Sequence, residues 1–251
     1  MTATHEQTLR ALYYDPETGL QGRKQFKARV RRTHPEIKAK EVDAFLDKQA
    51  LSQVQRRSPF KGFYRIVEPP KHFQLDIFFM SPYKQFNSNT SAFLILVDIL
   101  SRKMFVYPLK KHTQEAIVEA LAKFKKDEPG VLALFGDMEF AASKIAAWAE
   151  KEGVLLTTDV AKDDHFDKGN RLGIVDRAIR TLKKRITDYM LQAESARFIH
   201  KLPALVTNYN TSEHSSLEGR TPNEAYKDLA FQEKLYKQGV DHNDALEAEV
   251  G

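Results

Sequence analysis

Apolar residues change their spacing once, and sharply, along this chain. Over residues 6–58 they recur at helical intervals between turn signals. "HEQTLRALYY" stops at "DPETG", "RKQFKARVRR" runs into "THPE", and "KAKEVDAFLDKQ" sets Val42, Phe45 and Leu46 on one side. This spacing predicts three short helices. "QRRSPFKGFYRIVEPPKH" follows, polar, basic and punctuated by prolines, and reads as an extended linker. From Phe73 the pattern turns to short apolar runs: "FQLDIFFM", "AFLILVDIL" and "KMFVYPL" predict three strands, with a tight hairpin at Ser101–Arg102. "TQEAIVEALAKFKKD" places Ala116, Ile117, Ala120, Leu121 and Phe124 on one face of a helix, with Thr113 as its cap. "GVLALFGD" predicts a fourth strand, "AASKIAAWAEKEG" a helix ended by Gly153, and "VLLTTD" a fifth strand. A polar loop from Asp159 to Asn170 then leads into long helices to about Asn210.

Four segments follow from this reading: a basic helical N-terminal module over 1–58, a linker over 59–72, a main α/β domain over 73–227, and a helical acidic tail over 228–251. Three strands in series, then helix–strand–helix–strand–helix, is the element order of an RNase H-like α/β domain: a mixed sheet of about five strands flanked by helices. Other mixed three-layer sheets share parts of that order. The N-terminal module reads equally as a three-helix DNA-binding unit or as a helical arm of the main domain.

Composition narrows the class. No apolar run approaches the ~20 residues of a membrane span; the longest, Ala92 to Leu100, is interrupted by Asp98. The first ten residues lack the apolar stretch of a secretory signal, so an intracellular protein is expected. With no cysteine, disulfides, thiolate catalysis and Cys-containing zinc sites are excluded. The formal net charge of +5 is unevenly spread: residues 1–72 carry 15 Lys and Arg against 8 Asp and Glu, the remainder 24 against 26. A basic first quarter favours a polyanionic partner, although a solvated helical face accounts for the same charges.

Four carboxylates stand out. Asp76 interrupts the strand "FQLDIFF" and Asp98 the strand "LVDIL"; a carboxylate within an apolar strand costs several kcal/mol unless paired or bound to a cation. Asp137 follows Gly136 at the mouth of the fourth strand, where α/β sheets line clefts. Asp176 opens the helix "GIVDRAIRTLKKRI". Each has a plain structural explanation: edge-strand solvation for Asp76, a cap for Asp137, and an i,i+4 pair with Arg180 for Asp176. Together, Asp76, Asp137 and Asp176 have the layout of a two-metal phosphoryl-transfer site, in which hard divalent cations take carboxylate oxygens. Beside them, Arg177, Arg180, Lys183 and Lys184 suit a nucleic-acid backbone held by its phosphates. His165 in the polar loop reads as a surface residue, His214 in "YNTSEHSSL" as structural, and Trp148 as core.

The stretches "LILVDILSRKMFVYPLKKHT", "GDMEF", "GIVDRAIRTLKKRI" and "YNTSEHSSLEGRTPNEAY", within residues 73–227, resemble the catalytic core of retroviral-type integrases and DDE transposases. "LRALYYDPETGLQG" and "KAKEVDAFLDKQ" resemble, more loosely, integrases of Maverick/Polinton elements and large DNA viruses. The resemblance implies a polynucleotidyl transferase that trims element ends and joins them to target DNA. It implies Asp76, Asp137 and Asp176 as catalytic metal ligands, Asp98 as structural or supporting, and two Mg²⁺ or Mn²⁺ ions as cofactors. It further implies element ends and target DNA as partners, a dimer or tetramer, no membrane partner, and a place in the host nucleus or the virion. The chain departs from the family's pattern at three points. Asp176 stands where Glu is usual, shortening the reach by ~1.3 Å; "GDMEF" is compressed; and a His/Cys zinc module is absent. A catalytically inactive, integrase-derived DNA-binding or assembly protein would also carry an altered triad. A plain RNase H-like nuclease is disfavoured by the "TPNEAY" segment and the basic N-terminal module.

Overall fold

The computed structural model describes residues 3–14, 23–48, 64–158 and 172–250. The turn "DPETG", the first part of the linker, and the polar loop with His165 lie outside the described residues. The chain forms two compact units, Met1–Lys61 and Gly62–Gly251.

In the first unit, helices α1 (Ala3–Tyr14), α2 (Arg23–Thr33) and α3 (Ala39–Lys48) occupy the predicted segments. They share one core of Leu9, Tyr13, Phe26, Val30, Val42, Phe45 and Leu46. Tyr13 packs edge-on against Phe26 and Phe45, with ring centroids 5.1 and 5.9 Å away. Arg23 and Lys27 of α2 pair with Asp43 of α3, and Arg23 also with Asp47. Such solvent-facing pairs are worth ~0–1 kcal/mol each, so the aromatic core holds this unit together.

The second unit is built on a five-stranded sheet in the order β3–β2–β1–β4–β5. Its strands are β1 (His72–Phe79), β2 (Ala92–Asp98), β3 (Met104–Leu109), β4 (Ala133–Phe135) and β5 (Leu155–Thr157). β1–β2 and β2–β3 pair antiparallel, β1–β4 and β4–β5 parallel. All seven residues of β2 are buried, as its unbroken apolar run demands of a strand covered on both faces. Pro108 falls on β3 at the sheet edge, where a missing N–H is tolerated. β4 and β5 are only three residues long, shorter than the runs "GVLALFGD" and "VLLTTD" suggest.

The two-residue alternation of β1 and β2 divides the core. Phe73, Leu75, Leu94 and Leu96 face α4 (Gln114–Asp127) and α5 (Ser143–Glu152), meeting Leu121, Phe124, Ile145 and Trp148. Phe78, Phe93, Ile95 and Val97 face α6 (Gly173–Gln192) and α7 (Leu202–Asn210), meeting Val175, Ile179, Leu182 and Ile186. Thr113 caps α4 by accepting from the Ala116 N–H, and α5 ends on Gly153 at φ +66°, a left-handed position that suits glycine. This is the RNase H-like arrangement: a mixed five-stranded sheet flanked by helices.

Asp98 belongs to the β2–β3 hairpin. It is fully buried, and its Oδ1 accepts from the Ser101 N–H at 2.7 Å and the Ser101 hydroxyl at 2.6 Å. "TPNEAY" forms α8 (Pro222–Lys227), opened by a capping box between Thr221 and Glu224. The acidic tail is helix α9 (Leu229–Val250), and the backbone N–H and carbonyl of Arg65 both bond to the Asn243 side chain. No helix among the described residues is long and apolar enough to cross a membrane.

Candidate metal and nucleic-acid site

Asp76 lies on β1, the central strand of the sheet, opposite Ile95 of β2. Edge-strand solvation therefore does not account for it. On the strand's two-residue period it shares a face with Gln74 and Phe78, the face that α6 covers. Its Oδ1 accepts from the Ile77 N–H at 2.7 Å. Asp137 follows β4, which runs parallel to β1. It opens a short 3-10 turn, Met138–Ala141, and its Oδ1 accepts from the Glu139 N–H at 3.0 Å. Gly136 allows this turn to pack tightly: a Cβ there would fall 2.6 Å from Phe140 Cδ2 and 3.0 Å from Leu75 Cδ2. Asp176 sits in the first turn of α6. Lys184 and Asp188 pair at i,i+4 further along this helix, but among the described residues no such pair joins Asp176 to Arg180.

These carboxylates share one electrostatic environment. Burial pushes the Asp76 carboxyl up from 3.8 to about 6, and the negative charges of Asp137, Asp176 and Glu139 push it the same way, against the Ile77 N–H. An acid set of this kind repels itself, and a divalent cation would relieve that repulsion. Oxygen-only donors, one of them half-buried on a rigid strand, fit Mg²⁺ or Mn²⁺ by chemistry. Among the described residues, however, no three His, Asp or Glu side chains are gathered closely enough to hold an ion as they stand.

Two residues matter here that the sequence reading did not single out. Gln74 is buried, and its Oε1 accepts from the Ile174 and Val175 N–H groups at 3.2 and 3.0 Å. The residue before α6, Leu172, provides no side-chain cap, so a β1 side chain supplies the acceptor that the helix start lacks. The same strand face thus carries Asp76 and holds the helix bearing Asp176. An amide inside an apolar strand, two positions before an unexplained carboxylate, was the available signal. Glu139 is the other: it adds to the charge on Asp76 and pairs with His112 Nε2 at 3.0 Å. It stood within "GDMEF", two residues after Asp137.

The basic residues of α6 separate. Arg180 and Lys183 follow Asp176 at helical spacing along its flank. Arg180 is exposed, and the Lys183 ammonium lies 5.8 Å from the centre of the Phe78 ring on β1. Arg177 turns toward a cavity on another flank, and Lys184 is paired with Asp188 at 2.6 Å. His214 begins a short turn and accepts from the Ser216 N–H, and Trp148 is buried in the core, as expected of both.

No family model matches the sequence. An uncharacterised transposon-derived protein of Caenorhabditis elegans is 31% identical over 146 residues, covering 57% of this chain and 48% of that protein. The chain thus spans about half the length of the curated relative it matches. Among solved structures, a chain of the simian T-cell lymphotropic virus intasome, in complex with PP2A regulatory subunit B56 gamma, matches with a TM-score of 0.55. The identity is 14%, over 83% of this chain and 72% of that one. The HTLV-2 integrase catalytic core domain in complex with magnesium, in its trimeric form, matches with a TM-score of 0.50 and 15% identity, over 63% of this chain and 97% of that one. In fold the chain is similar to retroviral integrase catalytic cores, and in sequence to a transposon-derived protein.

Proposed function

We propose that this chain is an integrase or transposase of a mobile element or virus, a DDE-type polynucleotidyl transferase with Asp in the third position. The observation that carries the reading is the Asp76 carboxyl on the central strand, raised by burial and by the combined charge of Asp137, Asp176 and Glu139. Asp76, Asp137 and Asp176 would ligate two Mg²⁺ or Mn²⁺ ions, whose chemistry is to polarise phosphate oxygens and neutralise developing charge. The chain's own residues then have positional tasks. Gln74 fixes the start of α6, and Arg180 and Lys183 hold a phosphate backbone beside the acids, with Arg177 and Lys184 further out. In end processing a water oxygen bonds to phosphorus as the bond to the 3′-oxygen breaks, and that oxygen takes up a proton. In joining, the exposed 3′-hydroxyl attacks a target phosphodiester in the same way, with no covalent protein intermediate.

The substrates are then element ends and target DNA, the working form a dimer or tetramer, and the place of action the host nucleus or the virion. Closeness to Maverick/Polinton-type integrases is part of the same proposal. So is the organisation: a DNA-binding module over 1–58, a linker over 59–72, the core over 73–227 and a tail over 228–251.

A second reading, a non-catalytic DNA-binding or assembly protein of the same fold, is favoured by one observation. The acids are not gathered at ligating distance among the described residues, and Asp176 is one methylene short. Joining of pre-cut terminal DNA from the element encoding this chain to a plasmid, with Mg²⁺ or Mn²⁺, separates the two. Products that vanish in Asp176→Asn support the enzyme. DNA binding without products in either metal supports the second reading.

A further inference from the structure

A cavity beside α6 reaches from Gln74 of β1 and Phe135 of β4 to α9. Gly173, Ile174, Arg177, Ala178, Thr181 and Arg185 of α6 line it, with Arg177 one helical turn from Arg180. Its volume is about 1070 Å³, enough for a small-molecule ligand. Four arginines, Arg65, Arg102, Arg177 and Arg185, line it with His214 and three glutamates, Glu68, Glu213 and Glu218, beside apolar wall from Ile174 and Leu235.

The arginines of α6 and the hairpin are not held in close ion pairs. Among the described residues no carboxylate pairs with Arg102, Arg177 or Arg185, and Glu218 at the margin is held by Lys234 at 2.8 Å. The Arg185 guanidinium bonds to the Asn208 side chain and, at 3.2 Å, to the Ser212 hydroxyl, both neutral. Arg102 donates to the Ile99 carbonyl, one bond for a group with five N–H donors. The positive charges also act on one another. Burial lowers the Arg102 guanidinium to about 10, Tyr209 and Asp98 oppose that shift, and Arg177 adds to it; burial first, then Arg102 and Arg177, lowers His214. The backbone adds a cost, because Arg102 is held at φ +64°, a left-handed conformation that a long side chain adopts rarely. Arginine forks match phosphate oxygens bidentately, and several on one cavity suit a ligand with more than one negative charge.

We propose that this cavity binds a phosphorylated organic anion of about nucleotide size, its phosphates held by Arg102, Arg177 and Arg185 and its apolar portion against Ile174 and Leu235. The ligand is either a free nucleotide or the terminal nucleotide of a DNA strand. The site goes beyond the proposed DNA-joining activity and does not depend on it.

Calorimetric titration of the full chain in EDTA tests the proposal with deoxyadenosine diphosphate, adenosine, and a short single-stranded oligonucleotide bearing a 5′-phosphate. Saturable binding of the diphosphate but not of adenosine is expected. Arg177→Gln, at an exposed position tolerant of substitution, should weaken it about tenfold or more, and Arg102→Gln likewise. Binding of the oligonucleotide alone, with the same dependence on Arg102, identifies the strand end as the source and also supports the site. Absence of saturable binding by either phosphate probe, or equal affinity in wild type and Arg177→Gln, overturns it. With no metal present, neither outcome bears on the carboxylates, and loss of strand transfer does not bear on this cavity.

Discussion

Replacing Asp76 by Asn removes one of the negative charges that the fold brings together, while keeping an oxygen to accept the Ile77 N–H. The folded protein holds the Asp76 carboxyl at about 6 against an ordinary 3.8. Because the folded value is the higher one, this group's contribution to stability is fully present below pH 3.8 and is lost as pH rises through about 6. The full rise corresponds to about 3 kcal/mol. The side chain retains contact with water, so screening reduces this to about 1–2 kcal/mol. Asn has no proton to lose, so Asp76→Asn should exceed wild type by about 1–2 kcal/mol at pH 8 and by under about 0.5 kcal/mol at pH 4. On a unit of this size that is a rise in Tm of about 2–8 °C at pH 8. Urea and thermal unfolding in EDTA at the two pH values read the difference. Adding Mg²⁺ at pH 8 should stabilise wild type and leave the variant unchanged, since only the former gains a ligand on folding. A variant equal to or weaker than wild type at pH 8, or a gain that does not depend on pH, would refute the electrostatic reasoning.

The remaining predictions concern how the site is held and what it holds. Gln74→Met keeps side-chain volume but leaves the Ile174 and Val175 N–H groups of α6 without this acceptor; urea unfolding should register a loss of about 1–3 kcal/mol, with joining activity falling further than stability accounts for. Gly136→Ala forces a methyl group to within 2.6 Å of Phe140, and should cost about 1–3 kcal/mol in the same assay, with weaker metal binding as Asp137 shifts. Removing residues 1–61, which carry 13 Lys and Arg against 7 Asp and Glu, should leave a folded core whose DNA affinity depends less steeply on salt. Each lost phosphate contact flattens the slope by about 0.9, and equal slopes for the two proteins would count against a DNA-binding N-terminal module.

Where local pattern decides, the sequence was readable. The unbroken run of β2 fitted a strand, Thr113 and Gly153 bounded α4 and α5, and the helical stripe of α6 announced its buried face. Asp76, Asp98, Asp137 and Asp176 could be singled out because each is a charge where the pattern calls for an apolar residue or a chain end. What could not be read depends on contacts across the fold. The strand order that makes β1 central, and so removes the edge-strand explanation of Asp76, arises from parallel pairing with β4 across a long crossover. Gln74 matters only because α6 begins above it. Arg177 looked equivalent to Arg180 in a basic run, and three residues along a helix set the two about 60° apart, yet Arg177 lines the cavity with Arg102 and Arg185.

The central claim is that Asp76, Asp137 and Asp176 form one divalent-metal site. Calorimetric titration of Mn²⁺ at pH 8 into wild type, Asp176→Asn and Asp176→Glu tests it most directly. The account predicts saturable binding by wild type, loss of that binding in Asp176→Asn, and its retention in Asp176→Glu, which keeps the charge and extends the reach. Mn²⁺ binding of equal affinity in wild type and Asp176→Asn, or none in wild type, would contradict it.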